Sequence, residues 1–283
     1  MFIVQYEKIG VFAFKGGFEM GKRLLLFTVL MVAFAIATNI YAINVKTDPA
    51  LVGLWLFDEG SGTVVKDSSG KGNDGKASSD FTWDNGKFGK AIVSPAATAS
   101  TIVVPKSASL DTVTKAMTIA AWFRTDTASD TGIRRPNAFL LEDQSATEPV
   151  PDGFSFRMWT SKGLSPGVYG KTKLAQKTWN HVAGTYDGTQ MSLYINGVAE
   201  KELLSDANAA IDGKWSGDVG TPADGLQLKF ASETFIGGID EIMLFNRALS
   251  ASEIKEIMVG ALTSTTAVDA NAKLATTWAT IKR

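Results

Sequence analysis

Between residues 50 and 260 the chain is broken into short apolar runs, none long enough for a core helix. "VGLWLF" (52–57), "STIVV" (100–104), "MTIAAWF" (117–123), "GFSFRMW" (153–159), "WNHVAGTY" (179–186), "MSLYI" (191–195), "LQLKF" (226–230) and "IDEIMLF" (239–245) are rich in β-branched and aromatic residues. Gly, Asp, Asn and Ser punctuate them, the composition of strands joined by turns. Met117, Ile119, Ala121 and Phe123 alternate with Thr118, Ala120, Trp122 and Arg124, a period of two that places one set on each face of a sheet. Asn196-Gly197 after "MSLYI" predicts a two-residue hairpin, and Asp187-Gly188 predicts another tight connection. One helix is signalled: Ser250-Ala251-Ser252-Glu253 reads as a capping box, with Ile254 and Ile257 facing inward. Many strands and one terminal helix predict an all-β, two-sheet antiparallel sandwich or jelly roll.

Composition removes several chemistries. Cysteine is absent and His181 is the sole histidine. That excludes disulfides, thiolate nucleophiles, cysteine-based zinc sites and multi-histidine metal sites. Lys plus Arg total 28 against 29 for Asp plus Glu, which gives no electrostatic reason to expect nucleic acid or an anionic membrane surface.

The N-terminal part reads as an export signal. From Met20, Lys22 and Arg23 form a positive region, Leu24 to Ala37 an apolar run, and Ile40-Tyr41-Ala42 a cleavage site ending on a small residue. Thr38 and Asn39 stop the run after 14 residues, short of the roughly 20 needed to span a bilayer. Cleavage after Ala42 is expected, with an uncleaved anchor as the alternative. Residues 1–19 then precede the signal. "KGGFE" before Met20 is compatible with a ribosome-binding purine run, so Met20 is the expected start and 1–19 untranslated leader. Residues 261–283 are rich in Ala and Thr and are expected to form a loosely attached tail that contains Trp278.

The stretch "DSSGKGNDGKA" (67–77) satisfies the dinucleotide pattern G-x-G-x-x-G at Gly70–Gly75. It nearly satisfies a phosphate loop, but Ala77 stands where a hydroxyl is required. A phosphate loop must open a helix. "KASSDFTWDNGK" has no helical apolar period, and no suitable acid follows at the distance a ribose contact needs. An EF-hand reading fails on Lys71. A glycine-permitted turn between strands remains.

The blocks "GLWLFDEGSGTVVKDSSGKGNDGKA", "DNGKFGKAI", "MTIAAWFRTD", "TWNHVAGTYDG", "MSLYINGV" and "FIGGIDEIMLFNRALSASEI" resemble, in order and spacing, the laminin-G-like, concanavalin-A-like jelly-roll family over about residues 50–260. The resemblance implies a two-sheet sandwich in a secreted, periplasmic or surface bacterial protein whose module binds glycans or proteins. Fold alone does not fix function. Glucanases of this fold carry E-x-D-x-x-E on one strand. In "GGIDEIMLF", Asp240 and Glu241 are adjacent, and residues 238 and 243 are Gly and Met where the flanking acids belong. Asp58-Glu59 and Glu142-Asp143 share the adjacency defect, whereas glycoside hydrolysis needs two carboxyl groups at a fixed separation. His181 lies inside a strand block and reads as structural. No G-x-S-x-G elbow is present. A non-enzymatic binding module is expected.

Trp55, Trp122 and Trp179 lie in fold-pattern blocks and are expected to pack in the core, with Trp83 over a strand end. Trp159 and Trp215 lie outside the shared blocks. Tyr169 follows "SPG" and is expected to be exposed. These three are the candidate sugar-stacking residues, against the alternative that their rings cover sheet surface. The expected partner is a glycan, or else a cell-surface or envelope protein, with no membrane span after signal cleavage. For a cofactor, hard oxygen donors suggest structural Ca2+. Asp67 and Asn73 in the early turn, closed by Asp240, are the candidate ligands, with Asp58 a weaker contributor. The alternative is that Asp67 and Asn73 cap turns by bonding nearby N–H groups.

N-terminal sequencing of the exported protein is expected to read from Ile43. A product retaining residues 1–42 would refute the export reading.

Overall fold

The computed structural model describes residues 45–94, 101–126, 131–143, 153–160, 163–164, 167–201, 203–204, 210–211, 213–214, 217–220, 226–230 and 236–259. The proposed leader, signal segment and C-terminal tail lie outside these residues, as do Trp215 and Trp278.

Two antiparallel sheets face each other. The first runs in the order Val198–Ala199, Met191–Ile195, Trp179–Tyr186, Met117–Thr125, Gly237–Phe245, Lys90–Ser94, Thr82–Asn85, with Leu51–Trp55 also on Gly237–Phe245. The second runs Ala210–Ile211, Leu203–Leu204, Val168–Gly170, Phe154–Thr160, Phe139–Asp143, Thr131–Arg135, Leu226–Phe230, Thr101–Val104, Gly75–Ala77, Val64–Val65, with Gly163–Leu164 attached to Phe154–Thr160. This is the two-sheet jelly-roll sandwich that the strand pattern predicts.

The alternation holds residue by residue. Met117, Ile119, Ala121 and Phe123 join Phe139, Leu141, Phe154, Phe156, Met158, Val182 and Tyr186 in the core between the sheets. Ala120 turns the other way and packs with Ala183, Met243, Phe245, Ile254 and Ile257, beneath the helix Ala251–Met258. The capping box forms as expected. Ser250 Oγ accepts from the Glu253 N–H at 3.3 Å, and Glu253 Oε2 accepts from the Ser250 N–H at 2.7 Å. Asn196 and Gly197 both take left-handed backbone (φ 50° and 75°), as the primed hairpin turn demands.

One glycine admits a ring from the facing sheet. A Cβ on Gly184 would lie 2.5 Å from Cγ of Phe156 on the opposite sheet. The phenyl ring therefore occupies the space of a side chain on the facing strand. Gly184→Ala is expected to destabilise the domain by roughly 1–3 kcal/mol through overpacking, read as a fall in Tm. Adding Phe156→Leu should recover part of the loss, because the two sites share one space. Additive losses in the double variant would refute this account.

Candidate functional site

Asp67 and Asn73 are brought together, but into a closed network. Asp67 Oδ1 accepts from the N–H of Leu54 at 3.0 Å and of Ser69 at 2.9 Å. Its Oδ2 accepts from Ser69 Oγ at 2.8 Å and the Asn73 N–H at 2.9 Å. Asn73 is buried. Its Nδ2 donates to Val52 O at 2.8 Å, its Oδ1 accepts from Ser107 Oγ at 2.5 Å, and its backbone carbonyl accepts from Trp55 Nε1 at 2.8 Å. Gly70 and Gly72 supply the left-handed backbone (φ 79° and 77°). Both oxygens of Asp67 and the Oδ1 of Asn73 thus already have donors, the turn-capping pattern that was the alternative to an ion. Asp240 bonds elsewhere.

Asp240 sits at a bulge. The strand Gly237–Phe245 pairs Asp240 with Trp122 and Met243 with Ala120, so three steps on one strand match two on the other. Glu241 takes the extra position with φ 52°. Asp240 therefore faces away from the core, while Ile239 and Ile242 both remain in it. The carboxylate is fully buried under the loop Gly86–Gly89, with Oδ2 accepting from the Phe88 N–H at 3.1 Å. Burial pushes its pKa up to about 7, opposed by the N–H groups of Phe88, Lys87 and Glu241 and raised further by nearby Asp58.

Beside it lies an aromatic cluster in which His181 and Trp122 are buried and Phe88 is half-buried. The His181 ring meets Trp122 edge-on at 5.4 Å, Phe88 meets Trp122 at 6.1 Å, and Lys87 Nζ stands 4.3 Å from the Trp122 ring centroid. Burial lowers the His181 pKa to about 3, so the ring is neutral at pH 7. It packs as a structural histidine. Trp179 departs from expectation. It is half-buried, and its indole lies over Gly238 on the outer face of the first sheet instead of in the core.

The outer face of the second sheet is different in kind. In register, Gly132, Glu142, Ser155 and Tyr169 stand side by side on four neighbouring strands. Arg134, Leu140 and Arg157 form the next row on the same face. Trp159 continues along that strand and is half-buried. Arg157 stacks over the Tyr169 ring (4.9 Å to the centroid), donates to the Tyr169 hydroxyl, and lies 3.6 Å from Glu142 Oε1. Ser155 is fully buried, and its Oγ has no hydrogen-bond partner among the described residues.

Of the expected stacking residues, Trp159 is on this face and Trp215 lies outside the described residues. Tyr169 corrects its expectation: it is 1% exposed, covered by Arg157, so "SPG" before it did not signal an exposed ring. Sequence reasoning missed Ser155 and Arg157. The signal was present in "GFSFRMW", where Ser155, Arg157 and Trp159 alternate with the core residues Phe154, Phe156 and Met158. Glu142 was weighed only as half of an acidic pair. The structure buries Asp143 and leaves Glu142 on the outer face, so the two do not act together.

A search of curated proteins finds no match. Among solved structures, the chain is similar to the binding domain of Paraclostridial Mosquitocidal Protein 1, at 17% identity and TM-score 0.57, covering 74% of this chain and 52% of that one. It is similar to domain 4 of AbnA, a GH43 extracellular arabinanase from Geobacillus stearothermophilus, in complex with arabinotriose, at 21% identity and TM-score 0.52, covering 74% and 98%. It is also similar to the binding domain of Botulinum Neurotoxin DC in complex with SialylT, at 12% identity and TM-score 0.56, covering 76% and 52%. The match spans about half the length of the two toxin chains. At these identities the likeness establishes the sandwich fold. A family profile described as the concanavalin A-like lectin/glucanases superfamily matches residues 96–255. With the profile matching more than half of its length and both sheets in place, the chain belongs to the laminin-G-like family of concanavalin A-like jelly-roll domains.

Proposed function

We propose that this domain is a non-catalytic glycan-binding module, with the ligand lying along Glu142, Arg157 and Trp159 on the outer face of the second sheet. The observation that carries the reading is the half-buried set Glu142, Arg157 and Trp159, which stands on the outer face of the second sheet. Sugar hydroxyls both donate and accept. Glu142 offers an acceptor, Arg157 a donor, and the Trp159 ring an apolar surface for a pyranose or furanose face. Arg157 is held in place by Tyr169, so little side-chain entropy remains to be lost on binding. The AbnA domain, solved with arabinotriose, and the toxin domain, solved with SialylT, support a glycan as ligand and a site of action outside the cytoplasm. No described helix is long and apolar enough to cross a membrane.

A second reading, attachment to another protein, is favoured by one feature. Val64 and Val103 are 47% and 42% exposed and flank Lys76 across three strands at the far end of the same sheet.

Isothermal titration of the purified chain with arabino-oligosaccharides and sialylated oligosaccharides separates the readings. Binding to one class is expected, weakened about 10-fold or more by Trp159→Ala and by Arg157→Gln with the melting temperature nearly unchanged, in line with loss of roughly 1.5–3 kcal/mol per charged hydrogen bond or stacked ring. No release of reducing ends from either substrate is expected. Absence of glycan binding, or binding indifferent to both substitutions, would overturn the proposal. Turnover lost on Asp240→Asn would overturn its non-catalytic part.

A further inference from the structure

One register row crosses most of the second sheet. Arg157 pairs with Leu140, and Leu140 with Arg134. The row then passes through the strand Leu226–Phe230 to Val103, Lys76 and Val64. Registered neighbours share a face, so these side chains stand together on the outside of the sandwich. Their chemistry alternates between cation and aliphatic group. Neighbouring strands lie about 4.8 Å apart, which puts the backbone of Arg134 roughly 10 Å from that of Arg157, and Lys76 roughly 14 Å further on. At the start of the row Gly167 clears the way. A Cβ there would stand 2.6 Å from Cγ of Arg157, so the arginine lies along the sheet and stacks on Tyr169.

The chain as a whole carries a net charge of -1, so a row of cations departs from its average. Two acids border the row among the described residues, and each lies against a cation. Glu142 Oε1 is 3.6 Å from Arg157 Nε, and Asp74 Oδ2 is 2.7 Å from Lys66 Nζ. Arg134, Leu140 and Arg157 are half-buried, whereas Lys76, Val64 and Val103 are exposed. Half-buried guanidinium groups are planar forks that match a carboxylate with two hydrogen bonds. Leu140 between them offers an aliphatic surface one strand spacing from each. A sugar acid carries its carboxylate directly on a ring carbon, so charge and ring face arrive together at that close spacing. A sulfate ester stands further off, beyond an intervening oxygen.

We propose that the ligand is an extended acidic polysaccharide, its sugars bearing carboxylates on ring carbons, laid across the strands from Arg157 past Arg134 to Lys76. The inference rests on the glycan-binding reading of this face and adds the class of ligand, its direction and its length. Carboxylates meet the three cations, and ring faces meet Leu140, Val103 and Val64. Trp159, two residues along the strand from Arg157, takes a ring at that end. The exposed valines at the far end then belong to the same track as the arginines. The backbones of Arg157 and Lys76 are roughly 24 Å apart, five strand spacings, so a chain of several sugars is needed to engage both.

The test is isothermal titration of the purified chain with polygalacturonate, alginate and polysialic acid, each beside its methyl-esterified form, and with neutral arabinan. Binding to at least one acidic polymer is expected. Esterifying that polymer should weaken it about 10-fold or more, through loss of charged hydrogen bonds, and Arg134→Gln should do the same. Lys76→Gln should cost roughly 2- to 5-fold, as for an exposed ion pair, with the effect confined to polymers long enough to reach it. If Arg134→Gln does not fold, the ester comparison and Lys76→Gln decide. Equal affinity for an acidic polymer and its ester, or binding to arabinan alone, would overturn the acidic ligand and leave the glycan-binding reading standing. Equal competition by dextran sulfate would overturn the choice of carboxylate. No binding to any of these polysaccharides would overturn both.

Discussion

The strand Gly237–Phe245 is buried at all nine positions and serves three neighbours. Along one edge it pairs continuously with Met117–Thr125 except at the bulge. Along the other it pairs first with Lys90–Ser94 through residue 239 and then with Leu51–Trp55 from residue 242. The extra residue, Glu241, falls where one partner ends and the other begins. Without it the period of two would carry Met243 and Phe245 into the inter-sheet core and strip the helix Ala251–Met258 of its seat. The same extra residue aims Asp240 at the loop above. One left-handed residue thus sets the register of the first sheet, the docking of the helix and the position of a buried carboxylate.

The two outer faces follow opposite electrostatic rules. On the first sheet, polar groups are sealed: His181 is neutral under Trp122, and the apolar remainder is roofed by Ile254 and Ile257. On the second, polar groups are mutually constrained, with the half-buried Arg157 fixed by Tyr169 and Glu142 while Ser155 and Tyr169 are themselves buried. A ligand that replaces water there meets groups already oriented, which is the condition for hydrogen bonds to contribute more than they cost in ordering.

The strands, the hairpin at Asn196-Gly197 and the capped helix were legible because each depends on local periodicity or on a residue with a distinct backbone preference. The bulge was not, because Glu carries no preference for left-handed backbone and takes it here only because both flanking ladders impose it. Adjacent Asp240 and Glu241 read correctly as a poor catalytic pair, but nothing local showed which neighbour Asp240 would meet 152 residues away. Asp67 and Asn73 were legible as oxygen-rich, but not their partners Val52, Trp55 and Ser107, which reach Asn73 from other parts of the chain. Tyr169 shows the converse. Its local turn context spoke for exposure, and Arg157 from the neighbouring strand covers it.

The first strand of the sandwich lies against the last, with Leu51 opposite Phe245. Just outside that pair, Arg247 Nη2 reaches Asp48 and Glu253 at 2.6 Å each, clamping entry to exit. The path into the domain and the path out of it therefore open at one point on its surface. A domain with adjoining entry and exit is a cassette: such a fold can be spliced into a surface loop of a host protein, or strung between two others.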